Sequence, residues 1–300
     1  MTPMSKRCLG LVNDFLTSDA SLPLSQLSQE MIPPEIIDRH SKLSTPSTYP
    51  GMFDSGLHRA TQEAVALTVE NFREVFKLWK LEELSMSYNG GKDCEVQLII
   101  YLAIIEELFG LSCTDGAVKG CYVHTENEFD EQMEFLQTSV QEFDLEFVGV
   151  YTKEASQSHV LSEGPHLKVV TSSTSTLMGG FKRYLEECPQ VKAIIVGIRQ
   201  TDPWGSNLQL QMKTDTYKGW PDFTRINPIL HWKTAQIWYF LKWVEWKWPH
   251  FKYCKLYDMG FTSIGGRNTT IRNPQLWRSN DKYWPAWWVC NDESERLSRI

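Results

Sequence analysis

The sequence lacks the features of a membrane protein and of a disulfide-bonded secreted protein. No apolar run approaches the roughly 18 residues that a membrane-spanning helix needs. The first residues, Met1 to Arg7, are mixed in polarity and do not form the apolar block of a secretory signal. The seven cysteines include no C-x-x-C pair, which fits a reducing compartment better than a disulfide framework or a zinc site. We therefore expect a cytoplasmic protein with no membrane partner.

Basic residues are fewer than acidic residues, 30 against 37. The net charge is -7 and the isoelectric point is about 5.6, which argues against nucleic acid as a partner. An anionic ligand would have to meet local clusters of basic residues. The apolar content of 42% and the charged content of 22% are ordinary for a globular protein. We expect the protein to be a monomer or a weak homo-oligomer.

Segments with strand and helix patterns alternate through most of the chain. Residues 1–50, with proline-rich breaks, are predicted to be an extension on the surface, and residues 51–300 a single domain. Strands are predicted near residues 85–87, 119–123, 146–151, 167–171 and 191–197, with helices at 51–81, 95–105, 128–143, 174–188 and 232–243. Such alternation predicts an α/β fold with a mainly parallel sheet, whose ligands lie beyond the carboxyl ends of the strands. Eleven of the twelve tryptophans lie between Trp204 and Trp288, so the C-terminal segment is rich in aromatic residues.

The run Ser87-Tyr88-Asn89-Gly90-Gly91-Lys92-Asp93 stands between the first strand and an apolar helix. This geometry points free backbone N–H groups at an anion, and the glycines let a phosphate approach closely. Lys92 adds a positive charge, and Asp93 adds a carboxylate for a metal or a ligand. The spacing is not that of the Walker A loop. On the loop alone, a plain tight connection is an equally good interpretation.

Further polar motifs follow in order along the chain. They are Gly197-Ile198-Arg199-Gln200-Thr201-Asp202-Pro203, Arg225-Ile226-Asn227-Pro228, Gly260-Phe261-Thr262-Ser263-Ile264-Gly265, Arg272-Asn273-Pro274 and Glu295-Arg296-Leu297-Ser298-Arg299. Taken alone, Arg199 and Asp202 would be interpreted as a structural ion pair. With the loop at residues 87–93, the series resembles that of eukaryotic FAD synthetases, the FMN adenylyltransferases of the PAPS-reductase-like group, in their single-domain fungal form. The resemblance covers about residue 55 onward.

This resemblance implies a Rossmann-like sheet of the adenine nucleotide alpha-hydrolase type, and transfer of AMP from ATP to FMN with Mg²⁺, giving FAD and pyrophosphate. Residues 87–93 would be the pyrophosphate-binding loop, or PP-loop. The implied ATP contacts are Ser87, Tyr88, Asn89, Gly90, Gly91, Lys92 and Asp93. The implied FMN contacts are Arg199, Asp202, Arg296 and Arg299. Asp93 and Asp202 would serve the metal, although Asp202 could instead hold the flavin ring, and catalysis would fall to Asn89, Asp93, Asp202, Arg296 and Arg299.

Some interpretations remain open at this stage. Gln200 stands where the family often has a basic residue, which implies greater reliance on Arg199 and the C-terminal arginines. His124 and Glu126 could contact substrate, but a turn and a helix-start charge are favoured. The alternatives to the main prediction are a PAPS reductase, for which Cys290 is a poor catalytic cysteine, a tRNA-modifying PP-loop enzyme, and a non-enzymatic flavin or nucleotide binder. Trp220 is one possible contact for the flavin.

Overall fold

The computed structural model describes residues 3–19, 55–110, 118–125, 127–153, 160–279, 282–289 and 291–300. The helices are α1 Met4–Thr17, α2 Ser55–Leu78, α3 Lys92–Phe109, α4 Asp130–Glu142, α5 Leu177–Glu187, α6 Thr234–Lys247 and the short α7 Asp292–Glu295. The strands are β1 Leu84–Ser87, β2 Val118–His124, β3 Leu145–Tyr151, β4 Leu167–Thr171, β5 Ala193–Ile195, β6 Gln211–Lys213, β7 Thr224–Ile226, β8 Trp277–Ser279 and β9 Lys282–Tyr283. Among these described segments, no helix is both long and apolar enough to cross a membrane.

The main sheet confirms the predicted parallel α/β fold. Its strand order is β4-β3-β2-β1-β5-β7-β6, and every pairing is parallel except that of β6 with β7. The chain leaves β1 toward β2 on one side and later returns to pair β5 on the other. Ligands bind at such a reversal, where the loops after two neighbouring strands diverge. Here those loops are the PP-loop after β1 and the segment that begins at Val196 after β5.

Helix α3 anchors the PP-loop because it is buried on nearly all sides. Its residues from Cys94 to Ile105 are all buried, as a helix that packs both on the sheet and against other helices requires. Asp93 stands in the first turn, where negative charge is favoured, and Gly110 ends the helix in the left-handed conformation. The loop therefore sits on a rigid base.

Helix α1 is part of the core, so the surface position predicted for the start of the chain is wrong for this segment. Cys8, Leu11, Val12 and Phe15 recur at helical spacing and are all buried, which gives the helix an apolar stripe. Phe15 packs edge-on against aromatic rings of α6. Residues 20–54 lie outside the described residues, and the division at residue 50 stays a prediction.

Most tryptophans of the aromatic-rich segment fill the core, as ordinary packing predicts. Trp232, Trp238 and Trp243 are fully buried along or next to α6. Trp220 is half-buried and packs against Phe181 at a ring separation of 6.1 Å. This packing makes Trp220 a poor candidate for the flavin contact.

Glu95 is a buried acid directly below the PP-loop. Its carboxyl accepts a hydrogen bond from the hydroxyl of Tyr88, and Ser139 completes the cluster. Burial raises the pKa of Glu95 to about 8, even though the hydrogen bond from Tyr88 favours the charged form. The group therefore binds a proton in the folded protein at pH values at which the unfolded chain has released it.

We expect the free energy of unfolding to fall as the pH rises from the ordinary glutamate pKa of 4.5 through about 8, because the folded state alone holds this proton in that window. Glu95→Gln should flatten the dependence and make the protein more stable than the parent above about pH 8. Urea titrations across this range measure both effects. The exposed Glu63→Gln on α2 is the control and should keep the parental slope. Equal slopes for the parent and Glu95→Gln would contradict the assignment.

Candidate active site

The PP-loop turns its backbone toward a cavity at the carboxyl ends of β1 and β5. Gly90 takes a φ of +71°, a left-handed conformation that favours glycine. The Gly91 N–H donates to Oδ1 of Asn89 at 2.9 Å, and the Lys92 N–H donates to the hydroxyl of Tyr257, also at 2.9 Å. The N–H groups of Gly91 and Lys92 are thus occupied by side-chain acceptors, which a bound anion would have to replace.

Lys92 is buried, and its ammonium is held by two carboxylates. Nζ lies 3.0 Å from Oδ2 of Asp93 and also contacts Oε1 of Glu295. Burial alone would lower the pKa of Lys92, but Asp93 and Glu295 raise it above its usual value. The lysine therefore stays charged, and its position is set by its partners.

Arg199 is the hub of the site, with only 1% of its side chain exposed. Its guanidinium contacts Asp93, Asp202, Thr234, Asp292 and Glu295. The distance from Nε to Oδ1 of Asp93 is 2.9 Å, and that from Nη1 to Oγ1 of Thr234 is 2.7 Å. Burial would lower the pKa of Arg199, but the surrounding carboxylates raise it above its usual value. This arginine ties together segments that are far apart in the chain.

Arg199 lies behind the cavity and is not among the residues that line it, because its guanidinium faces protein acceptors on several sides. Its predicted contact with FMN stays a prediction. Asp202 forms part of the same arrangement, since its Oδ2 accepts from the backbone N–H of Arg199 at 2.9 Å. Arg199 and Asp202 thus form the ion pair expected from these two residues taken alone.

The cavity above these residues has a volume of about 210 Å³. It is lined by Asn89, Gly91, Lys92, Asp93, Cys94, Gly197, Asp202, Tyr257, Ser263, Ile264, Glu295, Arg296 and Arg299. The structure thus brings together most of the predicted site residues from the PP-loop, the Asp202 turn and the C-terminal segment (residues 291–299). Their individual roles remain predictions.

Three predicted ATP contacts from the PP-loop are absent from this lining. The Tyr88 side chain points into the core, where its hydroxyl meets Glu95 and Ser139. Ser87 and Gly90 also lie outside the set of lining residues. Gly90 instead shapes the loop through its positive φ, and the structure does not bring the Tyr88 side chain to the cavity.

The C-terminal arginines are partly exposed and line the cavity. Nη1 of Arg296 lies 3.9 Å from Oδ1 of Asp202. Arg299 packs its guanidinium against Gly265, where a Cβ would lie 2.0 Å from Nη1. Gly265 therefore leaves the room that this arginine needs.

The charged groups of this cluster balance one another. Positive charge comes from Lys92, Arg199, Arg296 and Arg299, and negative charge comes from Asp93, Asp202, Asp292 and Glu295. Burial raises the pKa of Asp202 above its usual value, although Arg199 opposes that shift. Within the described parts of the chain, no group of three or more His, Cys, Asp and Glu side chains could hold a metal ion.

His124 does not reach this cavity, and the structure gives it a packing role. It is buried at the end of β2, stacked on Tyr151 at a ring separation of 3.9 Å, with Nδ1 at 3.4 Å from Glu128. Burial lowers its pKa, although Glu128 opposes that shift. Glu126 and Cys290 lie outside the described residues.

Sequence reasoning missed several residues of the site. Tyr257, Glu295, Thr234 and Asp292 were not predicted, although Tyr257 and Glu295 stand in or beside the quoted motifs. The signal for Glu295 was an acid directly before Arg296. It could not be interpreted without knowing that residues 92 and 295 meet in space.

Comparison with known proteins identifies the family. The model of the phosphoadenosine phosphosulfate reductase domain matches residues 83–272. The flavin adenine dinucleotide synthase of Saccharomyces cerevisiae is 30% identical, over 80% of this chain and 90% of that protein. The chain belongs to the FAD synthase family. A probable FAD synthase of Schizosaccharomyces pombe is 29% identical, over 79% of each chain.

Solved structures agree with the fold of this FAD synthase family member. The FMN adenylyltransferase of Candida glabrata, in complex with FMN and the ATP analogue AMPCPP, superposes with a TM-score of 0.71 at 24% identity, over 99% of this chain and 98% of that one. Yeast FAD synthetase in complex with FAD also gives a TM-score of 0.71 at 24% identity, over 100% and 99% of the two chains. At this identity the likeness establishes the fold.

The burial of Arg199 leads to a stability prediction. Arg199→Met should lower the free energy of unfolding by about 3–5 kcal/mol, because it leaves buried carboxylates without their cation. Arg183→Met is the control: that arginine pairs with Glu186 and Glu187 near the surface of α5, and its loss should cost about 1 kcal/mol or less. Urea denaturation measures both. Similar losses for the two variants would contradict the role of Arg199 as the hub.

Proposed function

We propose that this chain transfers AMP from ATP to FMN and releases FAD and pyrophosphate. The observation that carries the proposal is that residues of the PP-loop, Asp202 and the two C-terminal arginines line a single cavity. The names of the related proteins point to the same reaction. The cavity offers sites for two anions, as the joining of two phosphorylated substrates requires.

The reaction needs positioning more than it needs a protein nucleophile. A phosphate oxygen of FMN attacks the α-phosphorus of ATP, and a new P–O bond forms. The bond from the α-phosphorus to the oxygen that bridges to the β-phosphate breaks, and its electrons leave with pyrophosphate. Such transfers rely on orientation and on stabilisation of charge. Lysine, arginine and backbone N–H groups supply both.

Each side of the cavity serves one substrate in this proposal. Lys92 and the amides of the PP-loop would hold the β- and γ-phosphates, with Asn89 and Tyr257 giving up their bonds to those amides. Arg296 and Arg299 would hold the phosphate of FMN. This division keeps the leaving group near the positive end of α3 and the attacking group near the C-terminal arginines.

Magnesium fits this site if it arrives with the nucleotide. The protein charges already balance, so a triphosphate would add negative charge that Mg²⁺ offsets. Asp93 and Asp202 line the cavity and would hold the ion, directly or through water, with oxygens that here face Lys92, Arg199 and Arg296. When bound, Mg²⁺ supplies neutralisation of the phosphate oxygens. The carboxylates of Asp93 and Asp202 fit Mg²⁺ because it prefers oxygen ligands.

Trp204 is the residue that we assign to the flavin ring. It lies two positions after Asp202, the residue is 93% exposed, and its φ is +68°. A non-glycine residue in this conformation is strained, and such strain is concentrated at functional sites. Turn bonds from Asp202 N–H to Arg199 and from Gly205 N–H to Asp202 fix the backbone on both sides. The indole is therefore presented outward, two positions from a residue that lines the cavity, as a stacking surface.

The reaction is tested by incubating the full chain with ATP and Mg²⁺, with and without FMN, and measuring pyrophosphate and FAD. We expect pyrophosphate to require FMN, to match FAD one for one, and to be lost on adding EDTA and restored by Mg²⁺. Pyrophosphate without FMN dependence would support another PP-loop reaction instead. Absence of both products from protein that binds ATP would contradict the proposal.

Replacing Trp204 with alanine should raise KM for FMN by about tenfold and leave KM for ATP nearly unchanged, because stacking on an aromatic ring is worth about 1–3 kcal/mol. Initial rates at varied FMN and varied ATP measure the two constants. Trp246→Ala, at the partly exposed Trp246 of α6, is the matched control and should leave both unchanged. An unchanged KM for FMN would place the ring elsewhere, with the apolar cavity of about 580 Å³ beside Phe129, Phe261 and Tyr283 as the next candidate.

The cysteines favour the cytoplasmic location predicted from the sequence. Among the described residues, Cys8, Cys94, Cys121, Cys188 and Cys254 are free and buried. Buried thiols fit a reducing compartment.

A further inference from the structure

The side chain of Glu295 joins the two buried cations of the site. It is 2% exposed, and Oε1 accepts from Nζ of Lys92. Oε2 accepts from Nη2 of Arg199 and from Oγ1 of Thr234, the latter at 3.0 Å. Lys92 and Arg199 hold the carboxyl in its charged form, with its pKa well below the usual value. One carboxylate therefore fixes the lysine of the PP-loop against the arginine at the hub.

The backbone around Glu295 is fixed as firmly as its side chain. The Glu295 carbonyl accepts from Oγ1 of Thr262 at 2.6 Å, and its N–H donates to the carbonyl of Asn291 at 3.0 Å. The preceding carbonyl, of Ser294, accepts from Nδ2 of Asn273 at 2.7 Å. The C-terminal segment is thus held by buried polar groups of two other motifs, and Glu295 cannot shift without disturbing them.

Glu295 also stands directly before the arginines that line the cavity. Arg296 follows it and lies near Asp202, and Arg299 is three residues further on. One short segment therefore carries the carboxylate that holds Lys92 and the guanidinium groups that face the same cavity. The ion pair between Glu295 and Lys92 therefore sets the distance between the C-terminal segment and the PP-loop.

We propose that Glu295 is a positioning residue for adenylyl transfer, which holds Lys92 and Arg199 in place and sets the C-terminal arginines against the PP-loop. This inference rests on the proposed function. Glu295 has the same sign of charge as a triphosphate, so it does not contribute attraction to ATP. Its effect must come through the groups that it orients, and orientation is expressed in the rate of the chemical step.

Glu295→Gln separates these effects because it keeps the shape of the side chain and removes the charge. We expect kcat for FAD formation to fall at least tenfold, while KM for ATP stays unchanged or falls. Calorimetric titration with the non-reacting analogue AMPCPP should likewise show unchanged or tighter binding. Glu293→Gln is the matched control on the same short helix, where the side chain is exposed, and should match the parent in both constants.

Combined variants test whether Glu295 affects the rate by placing Lys92. If Glu295 acts by placing Lys92, then Glu295→Gln should lower kcat much less in a Lys92→Met background than in the parent, since coupled residues are not additive. A role in folding alone would lower the urea midpoint and leave kcat per folded molecule unchanged. Glu295→Asp keeps the negative charge and shortens the side chain by one methylene group. It serves as the test if Glu295→Gln does not fold, and kcat should fall in this variant too.

The outcomes separate the two proposals. If the parent makes no FAD, the proposed function fails and this inference falls with it. If the parent makes FAD and Glu295→Gln or Glu295→Asp retains the parental kcat, only the inference fails. A loss of AMPCPP affinity with kcat intact would also overturn it, because Glu295 would then support binding and not orientation.

Discussion

The burial of two cations at one point is the constraint on which the site depends. Lys92 and Arg199 are almost fully removed from water, and a buried charge is tolerated only when it is paired and hydrogen-bonded. The partners come from the turn after β5, the start of α6 and the C-terminal segment. Meeting this requirement forces these distant segments to converge above the PP-loop. The shape of the cavity follows from that electrostatic demand.

The same demand explains how a cavity for anions can stand in an acidic protein. The net charge of the chain is -7, yet the described site holds as many cations as carboxylates. Arg199 contacts carboxylates of the protein and lies behind the cavity. The PP-loop and the two C-terminal arginines, in contrast, line it. Local geometry, and not the overall charge, thus determines which ligand this surface suits.

The sequence was sufficient for the architecture and for the centre of the site, and it failed where burial decides the role of a residue. Alternating patterns predicted the parallel sheet, and the glycine loop placed Asn89, Gly91, Lys92 and Asp93 together. The pattern could not show that Arg199 lies behind the cavity, because an arginine beside a strand looks the same whether it is buried or open. The short helical patterns at the start of the chain were noticed, but the core position of helix α1 was not, because its apolar stripe of Cys8, Leu11, Val12 and Phe15 is short.

The contact between Lys92 and Glu295 also bears on how the protein is made. The two residues are separated by 203 positions, so closing this loop is among the costly steps in ordering the chain. While a ribosome is still adding the intervening residues, the lysine lacks the carboxylate that permits its burial. The sheet can be assembled from earlier strands, but the cavity is completed only after residue 295 has been synthesised.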